Sequence, residues 1–407
     1  MRRIHWRKIP ALLRLAWLGA LIAIAFGKGC ACAHREQIKT AMLEPKCLDA
    51  GGEPVSGEAR RGEPRLEVHG HIPVLHLYGT GEEMAEQYGR LLRPAIQGLV
   101  GYAEALLPEG TMRRYVAYGR AAERHLPEDL RAELRIAAEA ADVPHEYLLA
   151  LNLVPRAACS TLAMWGEATP DGEMLMGRNA DYFDMGLGDR GSLLIVFHAT
   201  DRRPVVAVGF VGMLGAFTGV NADGVAFGNM LVFNTDNAAP PGIAAGTKGL
   251  PIQLAMRRAA ARSASAAEMA DALRTMPHAI PMNVMVADPR EALVLELDPL
   301  GHTVRRGERG VLASTNYFVE NPAMRSAARC ERLYRLTRDA GERRGTMSVE
   351  QMQQSLHAVR IEKWGMIHNV HSVVFEPGVM RMHVSLNRIP ATKGPWKTYD
   401  LRALLAE

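Results

Sequence analysis

The chain has 407 residues, 48% of them hydrophobic and 23% charged, a composition that excludes a disordered or fibrous protein. Its net charge of +4, with 14 histidines counted neutral, gives no argument for nucleic acid. No clustered basic and aromatic face marks a nucleic-acid binder either.

Arg2, Arg3, Arg7, Lys8 and Arg14 precede an apolar run from Leu15 to Gly27. Together with the small residues around Ala31-Cys32-Ala33, this reads as a secretory signal over residues 1–33, with an uncleaved N-terminal anchor as the competing reading. The run falls short of the ~20 apolar residues of a spanning helix. The expected location is therefore exported: periplasmic, secreted or envelope-anchored, with membrane contact only through this segment. Three cysteines remain beyond it, Cys47, Cys159 and Cys330. That odd count leaves at least one thiol without a partner in the chain. No CxxC pair follows the signal, so no thiolate zinc site is expected.

Residues 34–65 are polar and rich in Gly, Glu and Arg, and read as a flexible linker. Residues 66–158 then form a mainly helical unit. After a strand near Leu66–Leu77, the spacing of Met84, Tyr88, Leu91, Leu92, Ile96 and Leu99 predicts a helix, with a kink or break at Pro94. Further helices are predicted from Pro127 and over His145–Leu153.

At Cys159 the period changes. Strands at Thr161–Glu167 and Glu173–Gly177 flank the turn Thr169-Pro170-Asp171-Gly172. Strands at Ser192–Ala199, Pro204–Phe210, Val211–Gly219 and Val225–Phe233 follow. A capping box at Ser265 and Glu268 opens a helix. A hairpin at 282–297, helices over Arg325–Asp339 and from Ser348, and a hairpin around Glu376-Pro377-Gly378 complete the order. Antiparallel hairpins alternating with helices predict two stacked sheets with helices outside. The hairpin after Cys159 returns Arg178 and Asp181 beside it, placing a cation and a carboxylate next to a thiol.

The run Cys159-Ser160-Thr161, Trp165-Gly166-Glu167-Ala168-Thr169, Asp171-Gly172, Gly177-Arg178-Asn179 and Asp181 resembles the acyl-coenzyme A:6-aminopenicillanic acid acyltransferase family. That family is a branch of the N-terminal-nucleophile hydrolases, related to choloylglycine hydrolases and penicillin V acylases. Gly79-Thr80 with Gly89, Asn221 with Asp223-Gly224-Val225 and Asn229, Thr315-Asn316-Tyr317-Phe318, Ser326 with Arg329 and Arg332-Leu333, and His371-Ser372-Val373-Val374 extend the resemblance over roughly residues 66–396. Tyr317 departs from it, since many relatives carry histidine there.

The resemblance implies an α+β fold: a four-layer αββα sandwich over 159–407 preceded by a helical pro-segment over 66–158. It implies self-cleavage before Cys159. The new chain-terminal amine, with a pKa of ~7.7–8.0, would then take the proton of its own thiol. Asp181 would hold that amine and Arg178 would favour the thiolate. Asn316 and Asn229 would donate to the oxyanion. Arg329 or Arg332 would brace the site. The expected substrate is a small acyl amide or peptide-like molecule, with no organic cofactor and no metal. The pro-segment is a candidate partner of the mature chain. The rivals are a non-cleaving cysteine hydrolase with His198, His278 or His371 as base, and a non-enzymatic envelope binding protein. Met213, Met230, Met282 and Met285 are candidates for an acyl pocket.

Overall fold

The computed structural model describes residues 29–49, 51–57, 60–153, 157–232, 249–278, 280–298, 301–321, 330–362 and 367–406. The signal reading falls largely outside them, as do Ser326 and Arg329. Helix α1 (29–43) is followed by β1 (Lys46–Leu48), β2 (Pro54–Ser56), β3 (Arg65–His69) and β4 (Ile72–Gly79), then α2 (Gly81–Leu106), α3 (Glu109–Glu123), α4 (Glu128–Ala141) and α5 (His145–Leu153). Next come β5 (Ala157–Met164), β6 (Leu175–Phe183), β7 (Ser192–Ala199), β8 (Val205–Phe210), β9 (Thr218–Asn221) and β10 (Ala226–Leu231). The chain continues through α6 (Ile252–Ala260), α7 (Ala266–Arg274), β11 (Met282–Ala287), β12 (Ala292–Asp298), β13 (Gly301–Arg306) and β14 (Val311–Ser314). It closes with α8 (Glu331–Glu342), α9 (Val349–Val359), β15 (Ile367–Glu376), β16 (Arg381–Leu386), β17 (Lys397–Asp400) and α10 (Leu401–Leu405).

Two sheets form. One has the order β13-β12-β11-β10-β9-β8-β7-β4-β3-β1-β2, the other β14-β5-β6-β15-β16-β17. Side-chain alternation assigns the layers. Val74, Val196, Val206 and Met285 of the first sheet meet Met176, Val373, Phe375 and Val384 of the second in one core between the sheets. Leu75, Ile195, Val284 and Leu295 point the other way, onto α2, α4, α6 and α7. Leu162 and Val374 of the second sheet pack with Leu336 of α8 and Met352 and Leu356 of α9. The layers thus run helix, sheet, sheet, helix, which is the αββα sandwich, with a mainly helical N-terminal segment joined to it.

That segment is woven into the sandwich. β4 lies parallel to β7, with Val74 opposite Leu194 through Gly79 opposite Ala199. Glu133 of α4 pairs with Arg257 of α6, and Asp129 with Arg258 at 2.7 Å. Gly89 lets α2 close on α4, because a Cβ there would lie 2.4 Å from the carbonyl oxygen of Ala137.

Several expectations are corrected. Residues 34–65 are no flexible linker: they carry most of α1 and the strands β1 and β2, which extend the larger sheet. The pattern there is too polar and its strands too short to stand out. Pro94 does not break α2, which runs 26 residues through it. Burial of Tyr88, Leu91, Leu92, Ala95, Ile96 and Leu99 outweighs the ~3 kcal/mol cost of an interior proline. The stretch Val211–Gly219 yields a strand only from Thr218. Cys159 stands inside β5 rather than before it, since the strand already begins at Ala157.

Candidate active site

Cys159 is fully buried. It sits opposite Ala180 across the antiparallel β5–β6 pair, and Ala158 sits opposite Asp181. The period of two puts Cys159, Thr161, Arg178 and Ala180 on the face between the sheets, and Asp181 on the face toward α8 and α9. The hairpin therefore does what its sequence predicts: it brings Arg178 and Asp181 to Cys159, one on each side of the sheet.

Arg178 Nη2 donates to Cys159 Sγ at 3.4 Å, to the Asn229 carbonyl at 2.9 Å and to Asn229 Oδ1 at 3.4 Å. Its Nη1 donates to Thr218 Oγ1 and, at 2.9 Å, to His371 Nε2. Burial pushes the Cys159 thiol up from its ordinary pKa, and the Arg178 charge opposes that push. Burial likewise pulls the Arg178 guanidinium down, against the influence of Cys159 and Asp181.

On the other face, Arg332 of α8 forms the brace. It donates to the Asp181 carboxylate, to Ser160 Oγ at 3.2 Å, to the Cys159 carbonyl at 3.4 Å, to Asn316 Oδ1 at 3.4 Å and to the Val359 carbonyl at 2.7 Å. Asp181 also accepts from the Ile361 amide at 3.3 Å. Burial pushes its carboxyl up, with Arg332 pulling the other way. The sequence pattern gave Arg332 no more weight than Arg329. Its place two residues after Cys330, the N-cap of α8, aims it at the sheet.

The two asparagines differ. Among the described residues, Asn229 Nδ2 meets only the weak acceptor Met282 Sδ, at 3.7 Å. Asn316 Nδ2 donates to the Leu231 carbonyl at 2.6 Å, which ties the segment after β14 to the end of β10. Both amides reach the neighbourhood of Cys159, Asn229 through Arg178 and Asn316 through Arg332.

His371 contacts Arg178, and the other histidines near the sheets are engaged elsewhere. His198 contacts His76 at 3.1 Å and stacks on Tyr78, His278 contacts the Leu273 carbonyl at 2.8 Å, and His368 contacts Asp184 at 3.1 Å. Among the described residues none of His198, His278 and His371 hydrogen-bonds the thiol. No group of three or more His, Cys, Asp or Glu among them could hold a metal ion.

An apolar cavity of about 150 Å³ lies between the helical segment and the sandwich, lined by Leu99, Tyr102, Met112, Tyr147, Tyr182 and Met213 among others. The ring of Tyr182 stands 5.8 Å from that of Phe217. Phe217 immediately precedes Thr218, so this aromatic pair adjoins the cavity through Tyr182 and the Arg178 cluster through Thr218. Of the four methionines considered for an acyl pocket, Met213 lines the cavity. Met230 and Met285 pack between the sheets, and Met282 packs beneath the helices.

An αββα sandwich with a cysteine inside β5, an arginine at its thiol and a paired carboxylate at its backbone defines the N-terminal-nucleophile hydrolase class. The family model of acyl-coenzyme A:6-aminopenicillanic acid acyl-transferase matches residues 168–388, more than half the chain, and the protein belongs to that family. The matched span holds Arg178, Asp181, Asn229, Asn316 and Arg332; Cys159 lies nine residues before it. Protein dcd1B of Dictyostelium discoideum is 26% identical over 181 residues, covering 36% of this chain and 36% of that protein's length. Among solved structures, an N-acylethanolamine-hydrolyzing acid amidase ortholog from Caenorhabditis elegans is similar with a TM-score of 0.44 and 18% identity, covering 54% of this chain and 93% of that one. Penicillin V acylase from Agrobacterium tumefaciens gives 0.39 and 13%, covering 60% and 91%. A mutant conjugated bile acid hydrolase from Clostridium perfringens gives 0.38 and 15%, covering 59% and 96%.

Proposed function

We propose that the protein is an exported, self-processing cysteine amidohydrolase or acyltransferase. The observation that carries this reading is the pairing of a buried thiol with Arg178 on one face of β5 and β6 and of Asp181 with Arg332 on the other. In maturation, Cys159 Sγ attacks the Ala158 carbonyl carbon. The peptide C–N bond breaks, the departing Cys159 nitrogen takes the thiol proton, and water hydrolyses the thioester to leave a carboxylate on Ala158. In turnover the freed amine takes the thiol proton and Sγ attacks the substrate acyl carbon. The leaving amine departs with that proton, and water or an acceptor amine receives the acyl group. Asp181 holds the amine, Arg178 favours the thiolate, and Asn229 and Asn316 are the proposed amide donors to the oxyanion.

The substrate class is an amide with an apolar acyl group, for which the cavity between α2, α3, α5 and β6 is the receptacle. Residues on both sides of the proposed cut line it, so the cleaved N-terminal segment stays as a subunit, held by the β4–β7 ladder and the Glu133–Arg257 pair. The test is an acid quench during turnover of an acyl amide. The chain beginning at Cys159 should gain the mass of the acyl group and lose it to hydroxylamine. Turnover without any acyl adduct on Cys159 would overturn the reading.

A further inference from the structure

Arg178 is completely buried, yet among the described residues no carboxylate hydrogen-bonds it. Its Nη1 is held by Thr218 Oγ1 and His371 Nε2, which themselves lie 2.8 Å apart. Its Nη2 is held by the Asn229 carbonyl, and its Nε has no hydrogen-bond partner among the described residues. The aliphatic stem passes over Gly228 of β10, where a Cβ would lie 2.3 Å from Arg178 Cδ. The guanidinium is thus threaded through a slot and fixed by neutral acceptors. A buried cation of this kind needs an anion. The carboxylate next in line, Asp181, lies on the opposite face of β6 and is already paired with Arg332.

We propose that His371 and Thr218 form a neutral cradle that aims Arg178 at Cys159 without cancelling its charge, so that the Cys159 thiolate is the guanidinium's own anion. His371 is then a positioning residue for the chemistry proposed above, and the inference rests on that reading only for the role of the thiolate.

The backbone is built for this placement. β15 pairs with β6 through Asn369 opposite Asp181 and then His371 opposite Ala180, with a bulge at Val370. Two residues two apart on a regular strand share a face. The bulge puts Asn369 on the Asp181 face and turns His371 to the Arg178 face. Burial, and then the Arg178 charge, hold the His371 imidazole well below its ordinary pKa, so it stays a neutral acceptor at the pH of any assay near neutrality. The charged groups whose fields act on the thiol are Arg178 on its own face and Asp181 of β6 and Arg332 of α8 on the other, and the titratable His371 of β15 contacts Arg178. β9 and β10 contribute the neutral Thr218 and Asn229.

The test compares three substitutions in the full chain. The thiolate of Cys159 is titrated by ultraviolet absorbance, with a Cys159→Ser version of each variant subtracted, and thermal melting checks the fold. His371→Gln keeps a neutral acceptor at the Nε2 position and should leave the titration midpoint within a few tenths of a pH unit of the wild type. His371→Asn is neutral but too short to reach Nη1. His371→Glu supplies a competing anion. Each should raise the midpoint by about one pH unit and slow self-cleavage roughly tenfold at neutral pH. If His371→Glu does not fold, the Asn and Gln pair still decides the matter. Equal midpoints for Asn, Gln and wild type would overturn the proposal. Intact mass separates the two ideas: an uncut chain speaks against self-processing, whereas the titration reads the cradle in the cut or the uncut form.

Discussion

Arg332 donates to the fully buried carboxylate of Asp181 and, through its other terminal nitrogen, to the carbonyl oxygen of Cys159 at 3.4 Å. One side chain of α8 thereby spans the proposed cut site and the residue that would receive the new amine. Replacing it by Met would leave Asp181 buried without its counter-charge. The expected loss is about 3–5 kcal/mol of stability, read by chemical denaturation, together with failure of self-cleavage. A variant as stable as the wild type would contradict this role.

The two amides separate by a pair of measurements. Asn229→Ala should lower kcat roughly a hundredfold with KM nearly unchanged, because its Nδ2 has only a thioether to satisfy among the described residues. Asn316→Ala should lower kcat by a similar factor and also lower the melting temperature, because it breaks the 2.6 Å bridge to Leu231. An Asn229 variant with altered KM alone would remove it from the oxyanion role.

Much of this site was legible in the sequence, for a physical reason. A tight turn at Pro170-Asp171-Gly172 fixes the hairpin, and a hairpin fixes register, so Cys159, Arg178 and Asp181 could be placed together from spacing alone. Arg332 was legible only as one of two candidate braces and His371 only as one of three candidate bases; the contacts they make were not. Each reaches the site from a distant element, and His371 does so through a bulge that no side-chain pattern announces. The polar stretch 34–65 was misread because α1 and the short strands β1 and β2 are fixed by packing onto α2 and β3 rather than by their own periodicity.

The seam between the N-terminal segment and the sandwich should be acid-sensitive. His76 of β4 and His198 of β7 touch across it, and burial, then the Arg65 charge, hold them down to about 3 and about 4. Both values lie below the ~6.5 of an unfolded imidazole, so the unfolded chain binds more protons between those limits. Stability is therefore full above pH ~7 and falls as pH drops through ~6.5 toward 4. His198→Gln should flatten the dependence of melting temperature on pH in that window. An unchanged slope would show that other groups carry it.

Filling the cavity should discriminate substrates. Ala103 of α2 lines it, and Ala103→Phe should lower kcat/KM for long-chain acyl amides about tenfold or more while sparing an acetyl amide. Equal losses for both would detach the cavity from acyl recognition.

Intact mass of the purified full-length chain tests the central claim most directly. The wild type should resolve into two polypeptides that co-elute under native conditions, the second beginning at Cys159, and Cys159→Ala should remain a single uncut chain. An active wild-type sample consisting of one chain with the Ala158–Cys159 bond intact would contradict the account.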